Sequence, residues 1–290
     1  MKNFLKKLKY IFEYIIFYSA QKILLLFGFE TAANICSCLA RKIGPYLKVS
    51  NVARNNLRKI LGSHNQEQIL DEVWDNFGRF IGEFPYINKL SIKEIEQRIN
   101  IEGIEHLTEF NLKNQPFLVF TGHFSNWDFI LKLISKLYPK FGIVYRKTNN
   151  PYVNQALIDS RTEDNIHLIA KGPSGVKDLI KAIKNDYSIA MLVDQKMNDG
   201  IEVPFFGFPA MTSYAIAKFA LQYNYPIVPV QNIRQKRGKF KVIIHPPLKY
   251  EKTNDKEQDY YNIMLKINQI LESWIRQNPG QWFWFHNRWK

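Results

Sequence analysis

His123 and Asp128 stand in the run GHFSNWD, a histidine and a carboxylate five positions apart. An imidazole held in one tautomer by an acid can take a proton from a hydroxyl, which is general-base chemistry. On one continuous helix, side chains five apart diverge by roughly 140° at about 100° per residue, so the two can meet only if a turn separates them. The local pattern supplies that turn. PFLVF, from Pro116 to Phe120, has the β-branched and aromatic content of a buried strand, and Thr121 and Gly122 break it. Ser125 or Asn126 can then cap a helix whose apolar residues include Trp127, Ile130, Leu131, Ile134 and Leu137. By spacing alone the blander reading is preferred, a satisfied turn histidine and a first-turn acid favoured by the helix dipole. The setting of the motif in the rest of the chain decides otherwise.

At 290 residues the chain can bury a sizeable core as one domain with a decorated end, or at most two domains. Lys and Arg number 40 against 26 Asp and Glu, a formal charge of +14 that favours anionic partners: a phospholipid surface, a phosphorylated substrate, an acidic carrier protein or nucleic acid. No motif for reading nucleic acid is present, and that charge leaves an apolar N-terminus unexplained by such a partner. Cys36 and Cys38, the only two cysteines, are too close for a disulfide framework and lack the ligands of a zinc site, so both read as small apolar residues. No metal, nucleotide or flavin fingerprint is visible, and no cofactor is expected.

The opening residues put Lys2, Lys6, Lys7 and Lys9 ahead of an apolar, aromatic stretch from Tyr10 to Phe29. Glu13 and Lys22 interrupt it, so an interfacial helix and a spanning anchor are equally good expectations for residues 1–30. Residues 31–107 read as a helical region punctuated by Pro45 and Gly62. From 108 to 290 short apolar runs alternate with helical patterns. FGIVYRK, IHLIAKG and SIAMLVD read as strands, PIVPVQNIR and KFKVIIHPPL as a hairpin, and Pro151, Pro173 and Lys256 as helix starts. The expected fold is therefore α/β, a central mixed sheet flanked by helices, with an N-terminal helical membrane-facing region. Sites in such sheets lie beyond strand carboxyl ends, where His123, Arg146 and Asp194 would gather.

GHFSNWD resembles the H-x-x-x-x-D/E box of the glycerolipid acyltransferase superfamily, and its setting is most similar to the bacterial lipid A late acyltransferases. The likeness extends over nearly the whole chain: VARNNLRKILG with the Phe-Gly-Arg run near Arg79, VPFFGFPAMT, and the closing PGQWFWFHNRWK. Many late acyltransferases carry Glu where this chain has Asp128. The resemblance implies His123 as base with Asp128 as its orienter, and Arg146 and Arg161 near a phosphorylated substrate. Planar guanidinium donors suit phosphate oxygens; the alternative for Arg161 is an ion pair with Glu163 or Asp164. Asp194 would brace Arg146 or another basic group. Backbone amides near Asn126 and Trp127 would face a developing oxyanion, Phe205 and Phe206 would form an apolar surface for an acyl chain or the bilayer, and His286, Arg288 and Lys290 would line a phosphate site.

The activity so implied is transfer of a fatty acyl group from an acyl carrier protein thioester to the 3-hydroxyl of a hydroxyacyl chain on a lipid A precursor, at the cytoplasmic face of the inner membrane. The rivals are an acyltransferase acting on another glycolipid or phospholipid, and an acyl thioester hydrolase built on Ser125. The second lacks the G-x-S-x-G elbow.

Overall fold

The computed structural model describes residues 2–87, 89–162 and 166–289. Five helices open the chain: α1 (Lys2–Leu24), α2 (Phe29–Ile43), α3 (Lys48–Leu61), α4 (Gln66–Ile87) and α5 (Ile92–Arg98). Strand β1 (Ile99–Glu102) and α6 (Glu105–Leu112) lead into β2 (Leu118–Thr121), α7 (Trp127–Leu137), β3 (Phe141–Tyr145), α8 (Pro151–Thr162), β4 (His167–Ala170), α9 (Pro173–Lys184) and β5 (Ser188–Leu192). The hairpin β6 (Lys196–Phe205) and β7 (Phe208–Thr212) follows, then α10 (Ala215–Tyr223), β8 (Ile227–Arg234), β9 (Phe240–Ile244) and α11 (Lys256–Gln277).

The main sheet has the order β1-β9-β8-β2-β5-β3-β4, with β8 through β4 mutually parallel and β9 antiparallel to β8. The mixed sheet and its charged hairpin turn match the sequence expectation. Two differences stand out. β1 joins the sheet from within the 31–107 stretch read as helical, and the VPFFGFPAMT segment, absent from the expected strands, forms the separate β6–β7 hairpin.

β2 sits near the middle of the sheet, and both its faces are covered. Leu118 and Phe120 pack into a core shared with α3, α4, α9, α10, α11 and the C-terminal aromatics, while Phe117 and Val119 pack against α5, α6 and α7 on the other side. Successive side chains of a strand point to opposite faces, so an unbroken apolar run is what a doubly covered strand requires. The α2 and α4 helices approach closely because Gly78 and Gly82 lie at the crossing: a Cβ at Gly82 would stand 2.4 Å from the Ala32 carbonyl oxygen.

α1 docks on the body through polar and ring contacts along its length. Asn150 Nδ2 donates to the Tyr10 carbonyl (2.8 Å) and to Glu13 (3.0 Å), the Tyr86 hydroxyl donates to the Leu24 carbonyl (2.6 Å), and the Phe17 ring meets that of Phe84 at 6.5 Å. Its outer face leaves Phe4, Leu5, Leu8, Phe12, Ile15 and Ile16 exposed. Among the described residues, no helix is long and apolar enough to cross a membrane.

Candidate active site

The turn between β2 and α7 carries the chemistry. Asn126 caps α7, its side-chain oxygen accepting from the Phe129 amide at 3.3 Å, as the sequence signal indicated. Ser125 takes φ +53°, the left-handed region that L side chains seldom occupy, and its amide is held by the Gln281 carbonyl at 2.8 Å. Gly122 makes room beside it: a Cβ there would stand 2.7 Å from the Phe124 ring and 3.2 Å from Asp194 Oδ2.

His123 leaves this turn toward β5, not toward α7. β2 and β5 are parallel neighbours with Thr121 opposite Leu192, so residues two further along, His123 and Asp194, emerge side by side at the same sheet edge. His123 Nδ1 lies 2.7 Å from Asp194 Oδ1, and the His123 amide donates to Oδ2 at 2.8 Å. The Trp282 indole N–H donates to the same Oδ2 at 2.7 Å. Asp194 is 1% exposed. Burial pushes its pKa up, but the His123 charge and the hydrogen bonds from His123 and Trp282 outweigh that and hold it at about 2. An ionised Asp194 fixes the proton on Nδ1. The Gln195 side-chain amide, 3.3 Å from His123 Nε2, then donates to that nitrogen, so Nε2 is the acceptor on the partly open side of the ring and an incoming hydroxyl takes the place of Gln195 on its one lone pair.

Asp128 is therefore not the partner of His123. Its first-turn position on α7 aims it at α8, where Arg161 Nη2 donates to Oδ1 at 2.9 Å. The expectation that Asp128 orients His123 is corrected on this point, because neighbouring strands align His123 with Asp194 before any helix residue can reach it. The same pair engages Arg161, whose other expected partners, Glu163 and Asp164, lie outside the described residues.

Several other expected contacts change as well. Asn126 is fully buried and committed: Nδ2 donates to Glu83 (2.7 Å), its carbonyl accepts from Asn232 (2.7 Å), and its side chain caps α7. Its polar groups are thus spent on holding the loop. Glu83 also pairs with Arg234 across the sheet edge, and Arg234 in turn holds Asn76, so the loop rests on a buried polar network. Phe205 and Phe206 are buried, Phe205 stacked on Trp289 and edge-on to Trp282 and Phe206 edge-on to Trp289, so they offer no open surface to an acyl chain.

Arg288 is 0% exposed. Its guanidinium donates to the Met211 carbonyl and the Thr212 hydroxyl, each at 2.7 Å, and lies over the Phe205 ring. It ties the chain's end to β7, and burial lowers its pKa to about 10 although Asp194 opposes that. Thr212 is thus occupied, and the N-cap of α10 is Tyr214. His286 Nε2 accepts from the Lys196 amide at 3.2 Å. Burial, opposed by Asp194 and aided by Arg288, His123 and Lys171, lowers it to about 4, so the ring is neutral at neutral pH and offers no charge to a phosphate. Lys290 lies outside the described residues.

Arg146, at the end of β3, is exposed and has no ion pair among the described residues. Beside it is a residue that sequence reasoning passed over. Lys171 follows β4, the next strand end along the sheet, and partial desolvation and then the Arg146 charge lower its pKa, with Asp194 opposing. Only strand order reveals this pairing, since 25 positions separate the two in sequence. Trp282 was likewise invisible as a ligand of Asp194; its signal was no more than membership of the closing aromatic run.

The site is thus a tautomer-locked histidine at the carboxyl end of a central parallel strand of an α/β fold, with Arg146 and Lys171 at the ends of β3 and β4 and neither in an ion pair among the described residues. A family model described as bacterial lipid A biosynthesis acyltransferase matches residues 1–290, and the chain belongs to that family. A lipid A biosynthesis acyltransferase of Haemophilus influenzae is 26% identical over 247 residues, covering 82% of this chain and 76% of that protein. A lipid A biosynthesis palmitoleoyltransferase of Escherichia coli is 20% identical over 256 residues, covering 85% and 80%. The lauroyltransferase of the same organism is 23% identical over 202 residues, 68% of this chain and 64% of that protein.

Proposed function

We propose that the protein transfers a fatty acyl group from an acyl carrier protein thioester to the 3-hydroxyl of a hydroxyacyl chain on a phosphorylated glucosamine lipid, a lipid A precursor, at the cytoplasmic face of the inner membrane. The observation that carries the reading is His123 with Nδ1 locked on buried Asp194 and Nε2 left to accept a proton. Nε2 takes the hydroxyl proton as the oxygen attacks the thioester carbonyl, giving a tetrahedral oxyanion. N–H groups at the start of α7 have no acceptor within the helix and suit that charge. Collapse breaks the carbon–sulfur bond, and the imidazolium returns the proton to the departing thiolate, so ester and free thiol are the products.

Arg146 and Lys171 supply positive charge for the acceptor's phosphates, and the +14 excess favours both an acidic carrier protein and an anionic bilayer. On α1, Lys6, Lys7 and Lys9 accompany the exposed apolar residues, a composition suited to an interfacial helix. Ser125 is buried, which disfavours a serine hydrolase.

Purified protein, donor thioester and a panel of acceptors followed by mass spectrometry test the reaction. A lipid A precursor should gain one acyl chain, the same lipid without 3-hydroxyls none, and carrier-protein thioester should outperform the coenzyme A thioester less as salt rises. Acylation of only a glycerol-based or mannosylated lipid would replace the acceptor, and release of free fatty acid with every acceptor would make the protein a hydrolase.

A further inference from the structure

On α4, Phe77, Phe80, Ile81 and Phe84 recur at the i, i+3, i+4, i+7 spacing of one helix face. The opposite face, with Gly78 and Gly82, is buried against α2. An apolar stripe of this kind is normally covered by another element, but here Ile81 is exposed and the three phenylalanines are half-buried. The stripe is continued at both ends by rings from other parts of the chain. Phe80 stacks on the Trp127 indole at 4.2 Å between ring centres, Trp127 meets the His123 imidazole at 5.0 Å, and Phe283 sits against His123, Trp127 and Phe77. In the other direction Phe80 meets Phe84 at 6.4 Å, and Phe84 meets Phe17 of α1 at 6.5 Å. The result is an unbroken aromatic face that starts at the proton-accepting ring and ends under the helix whose outer side exposes Phe12, Ile15 and Ile16.

We propose that this face, from His123 over Trp127, Phe80 and Phe84 to Phe17, is the track on which the tail of the acceptor's hydroxyacyl chain lies while its 3-hydroxyl is held at His123. The assignment rests on the acyl-transfer reading above. A one-sided, half-exposed wall suits the acceptor's tail better than the donor's. The donor chain arrives through water on a carrier and needs enclosure along its length, whereas an acceptor tail leaving a lipid layer has its other side covered by that layer. The far end of the wall also lies at α1, the element with the most exposed apolar surface and with Lys6, Lys7 and Lys9 to meet anionic headgroups. α1 then does more than anchor, because it completes the wall.

The test uses the full-length protein and single-chain 3-hydroxyacyl glucosamine phosphates of increasing tail length, below their micelle concentrations. In the wild type, kcat/KM should rise by about fourfold per added methylene that reaches the wall. In Phe17→Ala the rise should stop early, at the longest tails only. In Phe84→Ala it should stop at shorter tails than in Phe17→Ala. A loss of equal factor at every tail length in Phe17→Ala, a half-buried position, would overturn the proposal.

A second measurement does not depend on turnover. A mid-chain brominated acceptor should quench Trp127 fluorescence in His123→Ala, because Trp74, Trp274, Trp282 and Trp284 are buried and Trp289, the other half-buried indole, packs against Phe205 and Trp282 and not on this wall. The quenching should vanish when Trp127→Phe is added, and quenching that persists there would also overturn the assignment. Were no acceptor acylated while the brominated tail still quenched Trp127, the tail track would stand and the acyl-transfer reading would fall.

Discussion

Two carboxylates flank the β2–α7 turn, and their surroundings differ. Asp194 sits at the end of a central strand, enclosed, and receives three hydrogen bonds, two of them from His123 itself. Asp128 sits in the first turn of a helix, 8% exposed, with one oxygen on Arg161 and the other buried without a partner among the described residues. The first arrangement is built from backbone register and is hard to move. The second joins α7 to α8 through side chains, and α8 is the helix against which α1 docks, where Tyr152 meets Tyr14 at 6.1 Å. An acid that must hold an imidazole in one tautomer belongs in the first setting. An acid that steadies the packing of surrounding helices belongs in the second.

The largest effect separates the base from everything around it. His123→Ala should fold and lose at least about 10²-fold in kcat, the loss typical of removing a general base. Circular dichroism would confirm the fold, and near-normal turnover would remove His123 from the mechanism. Next comes the comparison itself. Asp194→Asn should cost between about 10²- and 10⁴-fold in kcat by freeing the wrong tautomer, whereas Asp128→Asn should cost about tenfold or less. Steady-state kinetics on both variants decide the matter, and an Asp128→Asn loss equal to or above that of Asp194→Asn would reverse the two roles.

Stability gives a smaller but cleaner contrast. Asp194 is held at about 2 against an ordinary 3.8, so its ionised form stabilises the fold above pH 3.8, and that contribution is lost as pH falls through about 2. Acid titration of the wild type followed by near-ultraviolet dichroism should show this loss, and Asp194→Asn should flatten it. His286, lowered from 6.5 to about 4, takes up a proton more readily when unfolded, so it favours the fold above pH 6.5 and costs stability as pH falls from there toward 4. His286→Gln should shrink that part of the curve.

The smallest expected effect on chemistry is at Arg288. Arg288→Met should lower stability by about 2 kcal/mol through two lost charge-assisted hydrogen bonds, with kcat within about twofold. A large rise in acceptor KM without loss of stability would instead restore Arg288 as a phosphate ligand and require it to leave its buried place.

Much of this was legible from local pattern. The apolar run before Gly122, the cap at Asn126, proline at the helix starts of α8 and α9, and the hairpin at Gln235 to Lys239 are decided by sterics and hydrogen bonding within a few residues, so the amino-acid order was enough to find the α/β fold and to place His123 at a strand's end. The motif likeness pointed to the family, which the match over the whole chain establishes. The partner of His123 was not legible. Asp194 lies 71 positions away and is brought there by the crossover that sets β5 beside β2, a matter of strand order that no local spacing encodes. The two aromatic sets show the same limit: Phe205 and Phe206 are as apolar as Phe80 and Phe84, and only the packing of the C-terminal tail over β6 and β7 buries the first pair while the second stays open beside the histidine. Side-chain chemistry was thus determined by the sequence, and which groups meet and which face outward was decided by tertiary structure, because burial and pairing depend on contacts between residues far apart in the chain.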